Sequence, residues 1–189
     1  MKKLTTVLAF SFFALSGRAF AGEMKIAVID VKDVESASKK VQHFRKEIEK
    51  KQSKYQEEVR KLEEKIQKEA SSLKEKSATL SSDQLKKEEA KLKKDIEAYS
   101  IKAQKYNAVM ELVKEYGLQD LNKCLWDSVS FYAKQEKIDI VMPSSSIMYA
   151  SAGVENITKE ALKSLDSSGC KIDSGVYFKK AESEIEKLK

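Results

Sequence analysis

Few side chains in this sequence are spaced for chemistry. His43 is the single histidine, and with no cysteine or carboxylate motif beside it, it reads as a surface or packing residue rather than a ligand or a base. The carboxylate pairs Glu57-Glu58, Glu63-Glu64 and Glu88-Glu89 are adjacent within helical stretches, where neighbouring side chains point to different sides, so they read as solvated charges rather than acid/base pairs. Glycine-rich phosphate loops, nucleophile elbows and metal-spaced His or Cys sets do not occur. The expectation is therefore no catalytic residue, no metal site and no cofactor. Cys124 and Cys170 are the reactive groups that remain. An oxidising compartment would permit a disulfide between them, yet one falls in a predicted helix and the other in a polar tail. A bridge within the chain, a free buried thiol and a contact between chains all stay open.

Stepping from side chains to elements, the dominant feature is the stretch 41–113, which contains neither Gly nor Pro. Val41, Ile48, Tyr55 and Leu62 recur every seven residues, as do Val59, Ile66, Leu73 and Leu80, and together they mark one stripe of a helix. Leu85, Leu92, Tyr99, Tyr106 and Val113, with Ile96, Ala103 and Met110, repeat the device. The rhythm resets at Leu80-Ser81-Ser82-Asp83-Gln84, where Ser81 and Gln84 have capping-box spacing. Two long antiparallel helices are predicted, a narrow hairpin of arms roughly 50 to 60 Å long. The ladders lapse at Arg45, Gln52, Glu69, Lys76 and Glu89. These gaps leave the arm either loosely solvated or lined by charged stems lying along the seam edge.

The first 21 residues read as an export signal: a basic start at Lys2-Lys3, an apolar run from Leu4 to Leu15, and the small-x-small site Ala19-Phe20-Ala21. A run of twelve is too short to span a bilayer as a helix, and no cysteine follows the cut to carry a lipid. Cleavage after Ala21 leaves a chain with 33 basic and 30 acidic residues. Residues 39–115 hold 21 basic and 15 acidic residues. The arms are thus the basic part, suited to acidic clients or to an anionic membrane surface. Nucleic acid is not expected where the signal sends the chain.

Lys25-Ile26-Ala27-Val28-Ile29-Asp30 reads as a short strand buried on both faces. From Val34 the pattern turns helical and leads into the first arm. Beyond Gly117 the helical period runs on through Leu118, Leu121, Leu125, Val129 and Tyr132, with Trp126 as a core or interface anchor. Ile138-Asp139-Ile140-Val141-Met142, the turn Pro143-Ser144-Ser145-Ser146, and Ile147-Met148-Tyr149-Ala150 read as a β-hairpin. Asn156-Ile157-Thr158 precedes a short closing helix over Ala161, Leu162 and Leu165. Residues 166–189 read as a polar, partly flexible tail with a helical turn or two at its end. The predicted fold is mostly α with a small β body, and a long antiparallel helical hairpin inserted between its strands. So small a body buries too little apolar surface to stand alone, so self-association is expected.

This order of elements, from signal and first strand through basic hairpin to Ile138–Met142, Ile147–Ala150 and Asn156-Ile157-Thr158, resembles the Skp (OmpH-like) family of periplasmic chaperones over residues 1 to about 165. The resemblance implies a homotrimer with a central β core and three arms enclosing a cavity. It also implies ATP-independent holding of unfolded outer-membrane β-barrel precursors in the periplasm. On that reading residues 22–36 and 118–165 form the trimerisation body, with Ile26, Val28, Ile140, Val141 and Ile147 as candidate trimer core. Residues 37–117 form the arm, with Lys65, Lys68, Lys86, Lys87, Lys91, Tyr55, Tyr99 and Tyr106 as candidate client contacts. The tail after Leu165 and the two cysteines depart from the family pattern. The rival reading is a structural coiled-coil envelope protein without chaperone activity.

Overall fold

Strand β1 (Ile26–Ile29) opens the described chain, residues 24–187 of the computed structural model. The signal-type segment 1–21 lies outside the described residues. Asp30 caps helix α1 (Val31–Ala37) by accepting from the Asp33 amide, and Ser38 then caps helix α2 (Lys39–Lys76). The entry to the arm is therefore a kinked pair of helices rather than one run. The seven-residue ladders become α2 and helix α3 (Ser82–Gln135). Between them Ser81 and Gln84 form the predicted capping box, side chain to backbone in both directions. With no glycine or proline to break it before position 117, and one tolerated there, α3 continues without interruption into the body.

The length difference between the arms sets the sheet. α3 has 54 residues against 38 in α2, an excess of about 24 Å. The returning helix thus overshoots β1 and delivers strand β2 (Ile140–Pro143) to the same end from which β1 started. The two strands pair in parallel, Ile26 with Ile140 through Ile29 with Pro143. A parallel pair requires such a crossover, which the hairpin supplies. Strand β3 (Glu155–Asn156) pairs in parallel on the other side of β1, so the order is β2-β1-β3.

The expected β-hairpin is therefore absent. Ser144–Ser146 form a 3-10 turn, and Ile147–Ala150 belong to an irregular loop. The physical reason is topological: β2 already uses one edge of β1, and the chain must spend residues 147–154 crossing back to reach the other edge. The expected double burial of β1 is also corrected, because Ala27 and Ile29 are buried while Ile26 is exposed and Val28 half-buried. Helix α4 (Thr158–Ser167) closes the body as predicted, with Ile157, Ala161 and Leu165 inaccessible to solvent. These side chains join Ala27, Ile29, Val34, Val41, Leu121, Leu125 and Ile138 in one core.

The tail is the larger departure from expectation. Residues 174–187 form a four-turn helix, α5 (Ser174–Lys187), that lies along the arms and buries Tyr177, Phe178 and Ala181. Its apolar residues are few, and they were outnumbered in sequence by Lys and Glu. Their positions at i, i+1 and i+4 nevertheless place them on one face. Cys124 and Cys170 are bridged, with Cα atoms 5.8 Å apart, which ties the segment leading into α5 to the C-terminal part of α3. Of the three states left open for the cysteines, the bridge within the chain is the one formed.

Candidate functional site

The arm divides into two halves of different construction. In the proximal half Ile48 and Tyr55 of α2 and Val109, Met110 and Val113 of α3 form a core together with Tyr177, Phe178 and Ala181 of α5. The Tyr55 and Tyr106 rings stack at 3.9 Å, and Phe178 meets Tyr55 edge-on at 6.4 Å. Phe44 and Tyr116 flank Tyr177 at 5.8 and 6.2 Å. Hydroxyls finish the packing by donating to carboxylates: Tyr55 to Glu182, Tyr116 to Glu184, Tyr177 to Asp120 and Tyr106 to Glu58. Burial, followed by its carboxylate acceptor, holds the Tyr55 and Tyr177 phenols well above the usual range. Tyr116 is pushed up to about 12, chiefly by its bond to Glu184. All three phenols are kept neutral as donors.

Distal to Tyr55 and Tyr106 no arm residue is fully buried. The seam there is partly ionic. Lys65 reaches Asp95 at 3.2 Å across the hairpin, and Lys91 reaches Glu69 at 3.5 Å. The seam gap at Glu69 is thus filled by a cross-arm ion pair, which contributes little in water. Hydrogen bonding to Lys65 holds the Asp95 carboxyl below its ordinary range. The distal seam is thus half-buried apolar side chains such as Leu62, Ile66, Leu73 and Leu92 with exposed ion pairs beside them, and it has no dry core.

The sequence-derived candidates fall differently on this frame. Lys65, Lys68, Lys86, Lys87 and Lys91 are all exposed on the distal arm, although Lys65 and Lys91 are engaged with acidic neighbours. Tyr99 is half-buried in the seam, and Tyr106 is half-buried with its ring against Tyr55. Tyr55 is only 8% exposed and lies under α5. It is not an open contact surface while that helix is docked. His43 is exposed, in keeping with a surface role.

In the body, Ile26 and Ile140 are register partners on the outer face of the sheet, with Val28 two residues along. Met142, the partner of Val28, completes that face and was not singled out from sequence. Its signal was the alternation of Ile140 and Met142 about Val141. Val141 itself pairs with Ala27 and packs toward the core, so it is on the opposite face from Ile26. Ile147 is half-buried in the loop, beside the exposed Met148 and Tyr149. Trp126 stands 72% exposed over a groove of about 490 Å³, between α3 and the free edge of β2, which Leu125, Val129, Val141 and Pro143 also line. Among the described residues no group of three His, Cys, Asp or Glu could hold a metal ion, and no helix is long and apolar enough to cross a membrane.

A strand, a long helical hairpin, two further parallel strands and a closing helix span residues 25–165, and the model of the family described as outer membrane protein (OmpH-like) matches those same residues. The chain belongs to the OmpH-like family. Its fold is shared with the crystal structure of a candidate outer membrane chaperone (OmpH-like) from Caulobacter crescentus CB15. The two superpose with a TM-score of 0.71 at 16% identity, over 79% of this chain and 88% of that one. Comparison with curated protein sequences finds no match. The OmpH-like match ends at residue 165, so Cys170 and α5 lie beyond it.

Proposed function

We propose that this chain is an ATP-independent periplasmic holdase. Three copies join through their bodies, and the three arms hold unfolded outer-membrane β-barrel precursors apart from one another before membrane insertion. The observation that carries the reading is the apolar surface the body leaves uncovered. Trp126 and Tyr149 are 72% and 84% exposed, and Ile26, Ile140 and Met142 line an open sheet face beside an unpaired β2 edge. Surface of this kind marks an association site. Cyclic association of three copies through it would leave their arms pointing the same way. Cleavage of the export signal near Ala21 would place the trimer where unfolded β-barrel chains pass.

Such clients expose strand edges and apolar faces that pair with other copies. Arms enclosing one client isolate it, and many weak contacts sum to useful avidity while each stays reversible. The basic distal arm attracts a net-acidic client, and an anionic membrane or lipopolysaccharide surface would be attracted in the same way. The test is dilution of a urea-unfolded outer-membrane β-barrel protein into buffer with and without the chain. Suppressed light scattering without nucleotide is expected. Unchanged scattering would favour a structural coiled-coil protein of the envelope.

A further inference from the structure

We infer that the proximal arm groove beneath α5 is a binding site for unfolded client segments, and that α5 occupies it as a built-in competitor. The client segment it fits carries neighbouring aromatic residues followed by carboxylates. This inference rests on the holdase reading above.

The occupant itself reveals the chemistry of the groove. Tyr177 and Phe178 insert over a floor made by Ile48, Tyr55, Val109 and Val113. Glu182, Glu184 and Glu186 follow them and meet cationic and hydroxyl groups of the arm. Glu182 accepts from Tyr55 at 2.8 Å and pairs with Lys51 at 3.5 Å, Glu184 accepts from Tyr116, and Glu186 pairs with Lys105 at 2.9 Å. Lys51 also lies 5.3 Å from the centre of the Phe178 ring, within cation–π range. Every one of these contacts is made by side chains, so the groove recognises composition rather than a backbone pattern.

Two further observations separate α5 from the scaffold. The family match ends at residue 165, and residues 168–173 join α4 to α5 without helix or strand. No backbone hydrogen bond of the arm depends on α5. On its release, the polar groups uncovered are the hydroxyls of Tyr55 and Tyr116, the Asp120 carboxylate that had accepted from Tyr177, and the ammonium groups of Lys51 and Lys105, all of which water can satisfy. The groove would then present an apolar floor with Lys51 and Lys105 on its rim where the carboxylates of α5 had sat, and Asp120 where the Tyr177 hydroxyl had sat. The Cys124–Cys170 bridge keeps α5 four residues from its anchor, so the competitor stays at high effective concentration. A client must therefore outcompete it, and the apparent affinity falls by the fraction of time the groove is open.

The experiment compares the full chain, the full chain carrying Phe178→Asp, the full chain carrying Glu182→Gln, Glu184→Gln and Glu186→Gln together, and a chain ending at Asp173 with the bridge intact. Binding of a fluorescently labelled, urea-unfolded β-barrel protein is measured for each, with circular dichroism as the folding control. If α5 is docked nine-tenths of the time, opening the groove raises client affinity on the order of tenfold. The expected result is that gain in the aspartate variant and the shortened chain, and a smaller gain in the glutamine variant. A synthetic peptide of residues 174–187 should bind the shortened chain and be displaced by the client. Equal client affinity in all four forms, with no displacement of the peptide, would make α5 a brace and overturn the inference while the holdase reading stands. Failure of every form to bind client overturns both.

Discussion

Among the described residues, Gly117 is the place where the absence of a side chain decides the packing of three helices. A Cβ built there would lie 2.1 Å from the Phe44 ring, which in turn braces Tyr177 of α5. In an open helix Gly→Ala would stabilise by about 1 kcal/mol. Here the sign reverses, and Gly117→Ala is expected to cost about 1 to 2 kcal/mol through overpacking. Urea denaturation measures the cost, and faster amide exchange in α5 locates it; a variant as stable as the parent would mean that Phe44 swings aside freely. The tyrosines add a pH dependence of definite sign. Tyr55, Tyr116 and Tyr177 have raised values in the folded chain. Their contribution to α5 docking is full below their unfolded value near 10 and is lost as pH rises through the folded values. Phenolate absorbance should therefore lag in the full chain relative to one ending at Asp173. Asp166 works in the opposite direction. Burial pushes its carboxyl up, but hydrogen bonds from the Ser38 hydroxyl and the Lys39 and Lys40 amides outweigh that and hold it low. Its contribution is present above the ordinary carboxylate value and lost as pH falls through the depressed one.

At the scale of elements, the bridge and α5 convert a two-helix arm into a three-helix bundle over its proximal half. An isolated helix of 14 residues is marginal in water, so the order of α5 depends on docking. The bridge closes a loop of 46 residues, and in the chain-entropy account its loss costs about 4 kcal/mol. Replacing Cys124 and Cys170 with Ala should lower the urea midpoint by a corresponding amount and make it indifferent to reductant. A parent whose midpoint is equally indifferent would mean that the bridge carries no stability. The distal arm has no such support. Its ion pairs among Lys65, Glu69, Lys91 and Asp95 are exposed to solvent and to salt, so amide exchange beyond Tyr55 and Tyr106 should be the fastest within α2 and α3.

On the proposed function, the whole molecule divides its labour between a body that associates and arms that reach. Ile140 is 39% exposed in the single chain, so Ile140→Asp should be tolerated by the monomer and resisted by the assembly. Sedimentation of this variant as a folded monomer, beside a trimeric parent, is the expected outcome; a monomeric parent at micromolar concentration would overturn the proposed trimer. Deleting residues 56–100 and rejoining the arms should leave the trimer intact and abolish suppression of client aggregation. Reversing Lys65, Lys68, Lys86, Lys87 and Lys91 to Glu should slow client capture more than it alters release, with the difference shrinking as salt rises. A shortened trimer that protects clients as well as the parent would reduce the arms to spacers.

How much of this was legible in the residues alone follows from the range of the forces involved. The hairpin, its Ser81–Gln84 turn, the first strand and the closing helix are local or periodic. Capping hydrogen bonds and seven-residue ladders act over a few residues, and the sequence by itself determined them. The parallel pairing of β2 with β1 depended on the 54-residue reach of α3 against 38 in α2, a difference that matters only once both helices are laid side by side. Ile147–Ala150 has the composition of a strand, yet it became the crossing because the edge it would have paired with was already taken. The tail offered Tyr177 and Phe178 among lysines and glutamates, too few apolar groups to predict a packed helix. Their burial needed a groove assembled from residues more than sixty positions away, and the pairing of Cys124 with Cys170 needed the same fold. Tertiary structure alone decided these, because contacts distant in sequence leave no periodic trace in either partner.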